Sequence, residues 1–259
     1  MRIALTRPIS LSLARCELTY QTRQPIDIDR ARAQHQEYEQ ALRELGCSLV
    51  RLPEAPDLPD AVFVEDLAVV LDEVAILTRP GVESRRPEGA AIEAELARYR
   101  TLERIEPPAT LEGGDILRLG RTIYVGRSGR SNAEGIRQLR DRVAPFGYRV
   151  EAVPVHGCLH LKSAVTDIAP DRLLVNPDWV DPAAFVGMGW TPVAEGEAHA
   201  ANALRVGVKV IFPAGFPRTL EVLAREGVDV RPVEVSEIQK AEGAVTCCSL
   251  IFEAPAASA

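Results

Sequence analysis

The chain has 259 residues, 46% of them hydrophobic, and a formal net charge of −7, which is enough apolar content for one large core or several small ones around an axis. The negative balance argues against nucleic acid as a partner and suits a cationic ligand, and no apolar run is long enough to cross a membrane. Five cysteines (16, 47, 158, 247 and 248), odd in number and without metal-type spacing, point to a reduced, cytoplasmic protein.

The opening Met1-Arg-Ile-Ala-Leu starts a strand rather than a leader, and that strand is expected over Arg2 to Thr6. The irregular stretch from Arg7 to Ile28 is long enough to cover a site. Asp29 to Leu45 has helical spacing, with Tyr38, Ala41, Leu42 and Leu45 on one face, Asp27 or Asp29 as cap and Gly46 as stop. Cys47 to Leu52 is the next strand. Val62 to Leu71 and Val74 to Thr78 make a hairpin around Asp72-Glu73. The cycle repeats with a helix over Pro87 to Tyr99, a strand near Thr101 to Ile105, and a hairpin of Asp115 to Leu119 and Thr122 to Val125. Ser131-Asn-Ala-Glu134 is a capping box for a helix whose inner face is Ile136, Leu139 and Val143, and Tyr148 to Val155 is its strand. A third hairpin joins Ala164 to Ile168 with Leu173 to Asn176.

The fourth unit is less regular. Asp178 to Trp190 carries at most a short helical piece, and Asn202 leads into one apolar run from Val206 to Phe212. A helix over Pro217 to Glu226, a strand over Val228 to Val235 and a short helix over Ser236 to Glu242 precede the last strand, which follows Cys247. Ala254 to Ala259 reads as a frayed tail.

One polar residue stands at the mouth of each hairpin: Glu65 beside Asp66, Glu112, His160, Asn202 and Cys247. Their steps of 47, 48, 42 and 45 residues mark a repeat. Pairing the terminal strands would supply a fifth hairpin and leave few exposed sheet edges. The expectation is an α/β fold of five blades, a pseudo-fivefold α/β-propeller closed by its N- and C-terminal strands, with 1–259 as one catalytic domain. An open α/β sheet, the competing architecture, predicts neither the constant step nor the mouth residues.

Such a ring would bring sulfur, imidazole and carboxylates to one centre. A thiol attacks as its thiolate, a histidine can hold or pass the proton, and a carboxylate can orient the histidine; Cys247, His160 and Glu112 meet that requirement. Glu65 and Asp66 would add negative charge that raises the thiol pKa, a conflict relieved by a cationic substrate. A planar guanidinium fits paired carboxylates, and its carbon is electrophilic enough for thiolate attack. Taken singly, each residue has an ordinary alternative: a small core cysteine, a satisfied histidine, turn chemistry at Glu112-Gly-Gly-Asp115. Asp115 is read as a turn residue and Cys248 as a core residue. Cys16, Cys158, His35, His156 and His199 are read as structural or surface. The functional reading rests on the mouth residues recurring in step.

Phe63-Val-Glu-Asp66, Leu111-Glu-Gly-Gly-Asp115, Leu159-His-Leu-Lys-Ser163 and Thr246-Cys-Cys-Ser249 together resemble the motifs of the dimethylarginine dimethylaminohydrolase (dimethylargininase) family of the guanidino-group modifying superfamily, over about Leu5 to Phe252. The resemblance implies the five-bladed propeller and hydrolysis of asymmetric dimethylarginine and monomethylarginine to citrulline plus dimethylamine or methylamine, through a covalent Cys-thiouronium and without cofactor or metal. It also implies roles: Cys247 as nucleophile, His160 as general acid and base, and Glu112, where many relatives have Asp, as its partner. Asp66 with Glu65 would hold the guanidinium. Asp60, with backbone carbonyls around Leu18 and Ala241, would meet the α-amino group, and Arg85 with Arg130 would clamp the α-carboxylate. Zinc is an inhibitor that a Cys–His pair would admit, and a homodimer is an assembly the resemblance allows. An arginine deiminase is the nearest alternative, but Lys162 stands where that family usually has a second carboxylate. Hydrolases of other N-substituted guanidines, amidinotransferases and a non-catalytic propeller binding protein are further alternatives.

Overall fold

Each apolar stripe of the sequence is covered by a sheet or a helix, and one short arrangement does this five times. The structure, a computed structural model, describes residues 1–254, so the tail expected over 254–259 lies outside it from residue 255 on. Strand β1 (Arg2–Thr6) leads through helix α1 (Ile28–Glu44) to the parallel strand β2 (Ser48–Arg51). The second unit is the hairpin β3 (Ala68–Val70) and β4 (Val74–Leu77), then α2 (Gly89–Leu96) and β5 (Thr101–Arg104), parallel to β4. The third is β6 (Ile116–Leu119), β7 (Thr122–Arg127), α3 (Ala133–Val143) and β8 (Arg149–Pro154). In the fourth, the short helix α4 (Leu161–Ala164) precedes β9 (Val165–Ala169), β10 (Arg172–Val175) and β11 (Gly189–Pro192). The fifth is β12 (Leu204–Val206), β13 (Lys209–Pro213), α5 (Pro217–Arg225) and β14 (Asp229–Val233). After α6 (Ser236–Gln239), strand β15 (Leu250–Glu253) returns antiparallel to β1, with Leu250 opposite Leu5 and Glu253 opposite Arg2. The first sheet therefore needs both ends of the chain, and the ring of five three-stranded sheets closes.

Local chemistry explains the elements. Asp27 caps α1 by accepting the Arg30 N–H, and Ala31, Tyr38, Ala41 and Leu42 bury one face at helical spacing. Strand β4 is buried at every position, as expected of a middle strand covered on both faces. The apolar residues gather into five clusters rather than one, and each fully buried Leu or Ile contributes roughly 1.5–3 kcal/mol. Packing is thus spent between blades, and the axis is left to polar groups.

The mouth residues meet there. A tight turn stands before the first strand of each hairpin: Val64–Leu67, Gly113–Asp115, α4 and Ala198–Ala201, with 245–248 before β15. Neighbouring turns are hydrogen-bonded around the axis. Gly114 N–H donates to Asp66 Oδ1 (3.0 Å) and Leu161 N–H to Asp115 Oδ1 (3.0 Å). Asn202 Nδ2 donates to the Lys162 carbonyl (3.0 Å), Thr246 N–H to Asn202 Oδ1 (3.1 Å), and Glu65 N–H to the Cys247 carbonyl (3.2 Å). The circle is complete.

Several expected boundaries move. The run Val206 to Phe212 is not one strand but the end of β12 and most of β13, because Gly207 takes φ +67° and turns the chain. Strand β11 was not expected: three of its four residues are exposed and carry no alternating pattern. The cap of α3 is Asn132, which accepts the Gly135 N–H, rather than Ser131, whose hydroxyl turns inward. The helix expected from Pro87 to Tyr99 begins as a 3-10 turn over Glu83–Glu88 and ends at Leu96.

Candidate active site

The third blade's mouth, Glu112-Gly-Gly-Asp115, passes close against its neighbours. A Cβ on Gly113 would lie 1.9 Å from the Glu65 carbonyl oxygen, and one on Gly114 would lie 2.5 Å from His160 Nδ1. Only glycine lets the backbone pass this close. The passage brings the fully buried Glu112 against His160, with Oε2 at 2.7 Å from Nε2. Glu112 Oε1 accepts from the Gly81 N–H (2.9 Å) and from Arg130 Nη1 (3.4 Å). Burial works against the charged imidazole, but the carboxylates of Asp66, Glu112 and Asp115 outweigh it and lift His160 to about 9. Burial likewise penalises Glu112, yet the His160 hydrogen bond and charge, with Arg85 and Arg130 behind, hold it well below the usual carboxylate range. Asp115 is more than a turn residue: its carboxylate takes the hydroxyls of Ser128 and Ser131 and the N–H of Leu161, next to His160. Alanine at Gly114 is expected to push the imidazole off Glu112 and lower turnover about a hundredfold, the effect of a displacement near 1 Å, with the circular dichroism spectrum unchanged. Wild-type turnover in that variant would show that the ring has room.

Cys247 lies in the turn before β15 and lines the same cavities as His160. Burial first, then the charges of Glu65 and Asp66, push its thiol up to about 12. Glu65 is buried with Oε1 held by Lys162 Nζ (2.6 Å), while Oε2 has no donor in hydrogen-bond geometry, although the Thr246 hydroxyl is near enough to ease its charge. Asp66 accepts from Gly114 N–H and from Arg85 Nη1 (2.7 Å). Cys248 turns into the core, its Sγ near the Ala244 carbonyl.

A tight chamber of about 20 Å³ is lined by Asp60, Asp66, Arg85, Arg130, His160, Ala241 and Cys247. Arg85 is shared between Asp66 and Glu88 (3.1 Å), and Arg130 Nη2 donates to the Thr19 hydroxyl (3.0 Å). Asp60 accepts the Glu17 N–H (3.1 Å). Glu17 therefore lines the chamber where Leu18 was expected, and the Leu18 side chain packs on the adjacent core. The stretch expected to cover a site lies on the chamber: Glu17 and Thr19 occupy Asp60 and Arg130, and the Glu242 carboxylate, on a residue with φ +58°, accepts the N–H groups of Thr19, Tyr20 and Gln21. On the other side of His160 and Cys247 a cavity of about 590 Å³ opens, lined also by Lys162, His199, Asn202 and Lys240. Asp66, Glu112 and His160 bring ligating atoms within 4.8 Å of one another, but their oxygens already accept from Gly114, Arg85, Gly81 and Arg130. The cluster is a hydrogen-bond network before it is a metal cage.

A thiol near two acids, a carboxylate–imidazole pair, and Asp60, Arg85 and Arg130 on the same chamber suit a small molecule that carries charges of both signs. The family model for N,N dimethylarginine dimethylhydrolase, eukaryotic, matches residues 17–182, well over half of the chain. The chain belongs to the dimethylarginine dimethylaminohydrolase family. A Streptomyces coelicolor dimethylarginine dimethylaminohydrolase is 42% identical over 95% of this chain and 95% of its own. The Pseudomonas aeruginosa member of the family, solved as a cysteine-to-serine variant complexed with citrulline, superposes with a TM-score of 0.92 at 37% identity, covering 96% of this chain and 98% of that one. The N-terminal domain of a cyanobacterial arginine dihydrolase shares the fold at 22% identity and a TM-score of 0.87, over 96% of this chain and 97% of its own.

Beside the residues expected from the sequence, the chamber is lined by Glu17, Phe63 and Glu242, with Glu88, Ser131 and Thr246 bonded to its lining or to the turns around it. His199, read as structural or surface, stands on the wide cavity with its ring against Trp179. Asn202 had a signal in its place in the repeat, and Phe63 and Thr246 in the motifs that contain them.

Proposed function

We propose that the chain, as one catalytic unit over 1–259, hydrolyses N-methylated arginines to citrulline and a methylamine. The observation that carries this reading is the joint placement of Cys247, His160 and Asp66 around one chamber with Asp60, Arg85 and Arg130, with Glu112 behind His160 and the Glu65 charge felt by the thiol. Glu65 and Asp66 hold the guanidinium, Arg85 and Arg130 the α-carboxylate, and Asp60 with backbone carbonyls near Leu18 and Ala241 the α-amino group. Entry of the substrate displaces Thr19 from Arg130 and Glu17 from Asp60 and parts Arg85 from Asp66, so the covering stretch has to lift and the Arg85 guanidinium has to exchange Asp66 for the α-carboxylate.

The guanidinium offsets the acids that suppress thiolate formation, and Cys247 releases its proton to solvent. The thiolate attacks the guanidinium carbon, forming the C–S bond. His160, carrying its proton, hands it to the departing dimethylamine as the C–N bond breaks, leaving an S-linked thiouronium. Neutral His160 then takes one proton from the attacking water, the C–S bond breaks as the adduct's remaining hydroxyl proton passes to the departing sulfur, and citrulline leaves with the Cys247 thiol restored. Lys162 pairs one Glu65 oxygen, so that carboxylate grips the cation from one side and leaves space for methyl groups. Five free thiols favour a reducing compartment, the cytoplasm. Citrulline release is expected to be at least about tenfold more efficient (kcat/KM) with dimethyl- and monomethylarginine than with arginine, the scale set by small apolar contacts. Faster turnover of arginine would make the chain a deiminase.

A further inference from the structure

Blade five contributes no reacting group, yet its mouth residue is buried like Glu112 and His160. Asn202 is 4% exposed and spends both donors and its acceptor on the two neighbouring turns. Nδ2 gives one hydrogen to the Lys162 carbonyl (3.0 Å) and one to Thr246 Oγ1 (3.0 Å), and Oδ1 accepts the Thr246 N–H (3.1 Å). The residue is itself fixed on both sides, because Thr166 Oγ1 donates to the Ala201 carbonyl (2.6 Å) and accepts the Ala203 N–H (3.0 Å). Asn202 is thus a rigid strut between the turn that carries His160 and the turn that carries Cys247.

Its bond to Thr246 has a direction. An amide nitrogen can only donate, so Thr246 Oγ1 is the acceptor there and its own proton must point elsewhere. Two acceptors are in reach: Cys247 Sγ at 3.9 Å and the Glu65 carboxylate. Once a guanidinium occupies Glu65, the hydroxyl proton is left to the sulfur.

We propose that Asn202 and Thr246 are positioning residues for the hydrolysis: Asn202 locks the His160 and Cys247 turns together and orients the Thr246 hydroxyl as a donor to the Cys247 thiolate. The inference rests on the reading of Cys247 as nucleophile. A long donor–sulfur contact of this kind is worth the low end of a hydrogen bond to a charged group, about tenfold in thiolate population.

The test is the pH dependence of Cys247 alkylation by iodoacetamide in the presence of guanidinium ion, with kcat and KM for dimethylarginine, in Thr246→Val, Thr246→Ser, Asn202→Ala and Asn202→Asp. Thr246→Val and Asn202→Ala are expected to shift the thiol titration upward and lower kcat about tenfold, with KM within threefold. Thr246→Ser should restore both. Asn202→Asp keeps the acceptor for the Thr246 N–H but invites the hydroxyl proton, so it should resemble Asn202→Ala. Where Asn202→Ala does not fold, the Thr246 pair decides alone. An unmoved thiol titration in Thr246→Val, or a Thr246→Ser that fails to recover it, overturns the proposal. Cys247→Ser separates this from the underlying reading: if that variant still turns over, the nucleophile assignment fails; if it is dead while Asn202 and Thr246 variants match wild type, only the positioning proposal fails.

Discussion

Serine in place of Cys247 is expected to lower citrulline release from dimethylarginine by at least about a thousandfold, since removing the nucleophile of a covalent mechanism leaves only binding and electrostatics. Serine keeps the size and the turn but not the nucleophile, because a hydroxyl ionises far less readily than a thiol and the charges of Glu65 and Asp66 oppose an alkoxide further. Cys248→Ala, one residue on, removes a thiol that faces the core and should leave turnover within a few-fold. The pair of variants also isolates the thiolate signal. Burial, Glu65 and Asp66 push the Cys247 thiol up to about 12, so the ultraviolet thiolate absorbance lost in Cys247→Ser should be absent at neutral pH in free enzyme. It should emerge there when a slowly turned-over guanidinium amino acid binds and offsets the acids. A thiolate already present at neutral pH without ligand would falsify activation by the substrate's charge.

What the sequence disclosed and what it hid divide along a physical line. Glu112, His160 and Cys247 were legible because a ring of equivalent blades turns constant spacing into convergence, and the apolar strands after them fix which way each mouth faces. The ring closure followed from two strands left without partners. Strand β11 was hidden because a short, mostly exposed third strand carries no alternation. The β12–β13 turn was hidden because Gly207 sits inside a run of apolar residues whose period gives no break. Ser131 read as a cap because its local pattern is that of one, and only the tertiary approach of Glu112 and Asp115 claims its hydroxyl. Glu17, Thr19 and Glu242 act through backbone amides or a loop's position, which leave little trace in side-chain pattern. Arg85 was legible as a site residue, but its present partners, Asp66 and Glu88, were not.

Glu112→Gln should show both halves of the carboxylate–imidazole pair at once. The amide keeps the length of the side chain and removes the charge that holds the imidazolium. His160 then loses its hydrogen-bonded anion while burial continues to oppose its charge, so its pKa should fall from about 9 by at least roughly one unit, and the alkaline limb of the kcat profile should move down with it. A fall of one unit alone would cost only about twofold at pH 8, but the imidazole also loses the partner that holds its orientation, and kcat should drop about a hundredfold, within the range of general acid–base contributions. Stability gives an independent reading with a definite sign. A histidine whose folded pKa is raised above 6.5 stabilises fully below that value and ceases to do so as pH rises through about 9. A carboxylate held below 4.5 stabilises above that value and ceases to do so as pH falls. The melting-temperature gap between wild type and Glu112→Gln should therefore be widest between about pH 4.5 and 6.5 and narrow towards pH 9. Breaking a buried pair costs about 3–5 kcal/mol when the remaining charge is trapped; here the imidazole can neutralise, while Arg130 and Arg85 lose the same carboxylate. A gap that stays flat from pH 5 to 9 would mean that His160 is neutral in the folded wild type, and the proton needed by the departing amine would have to come from another group.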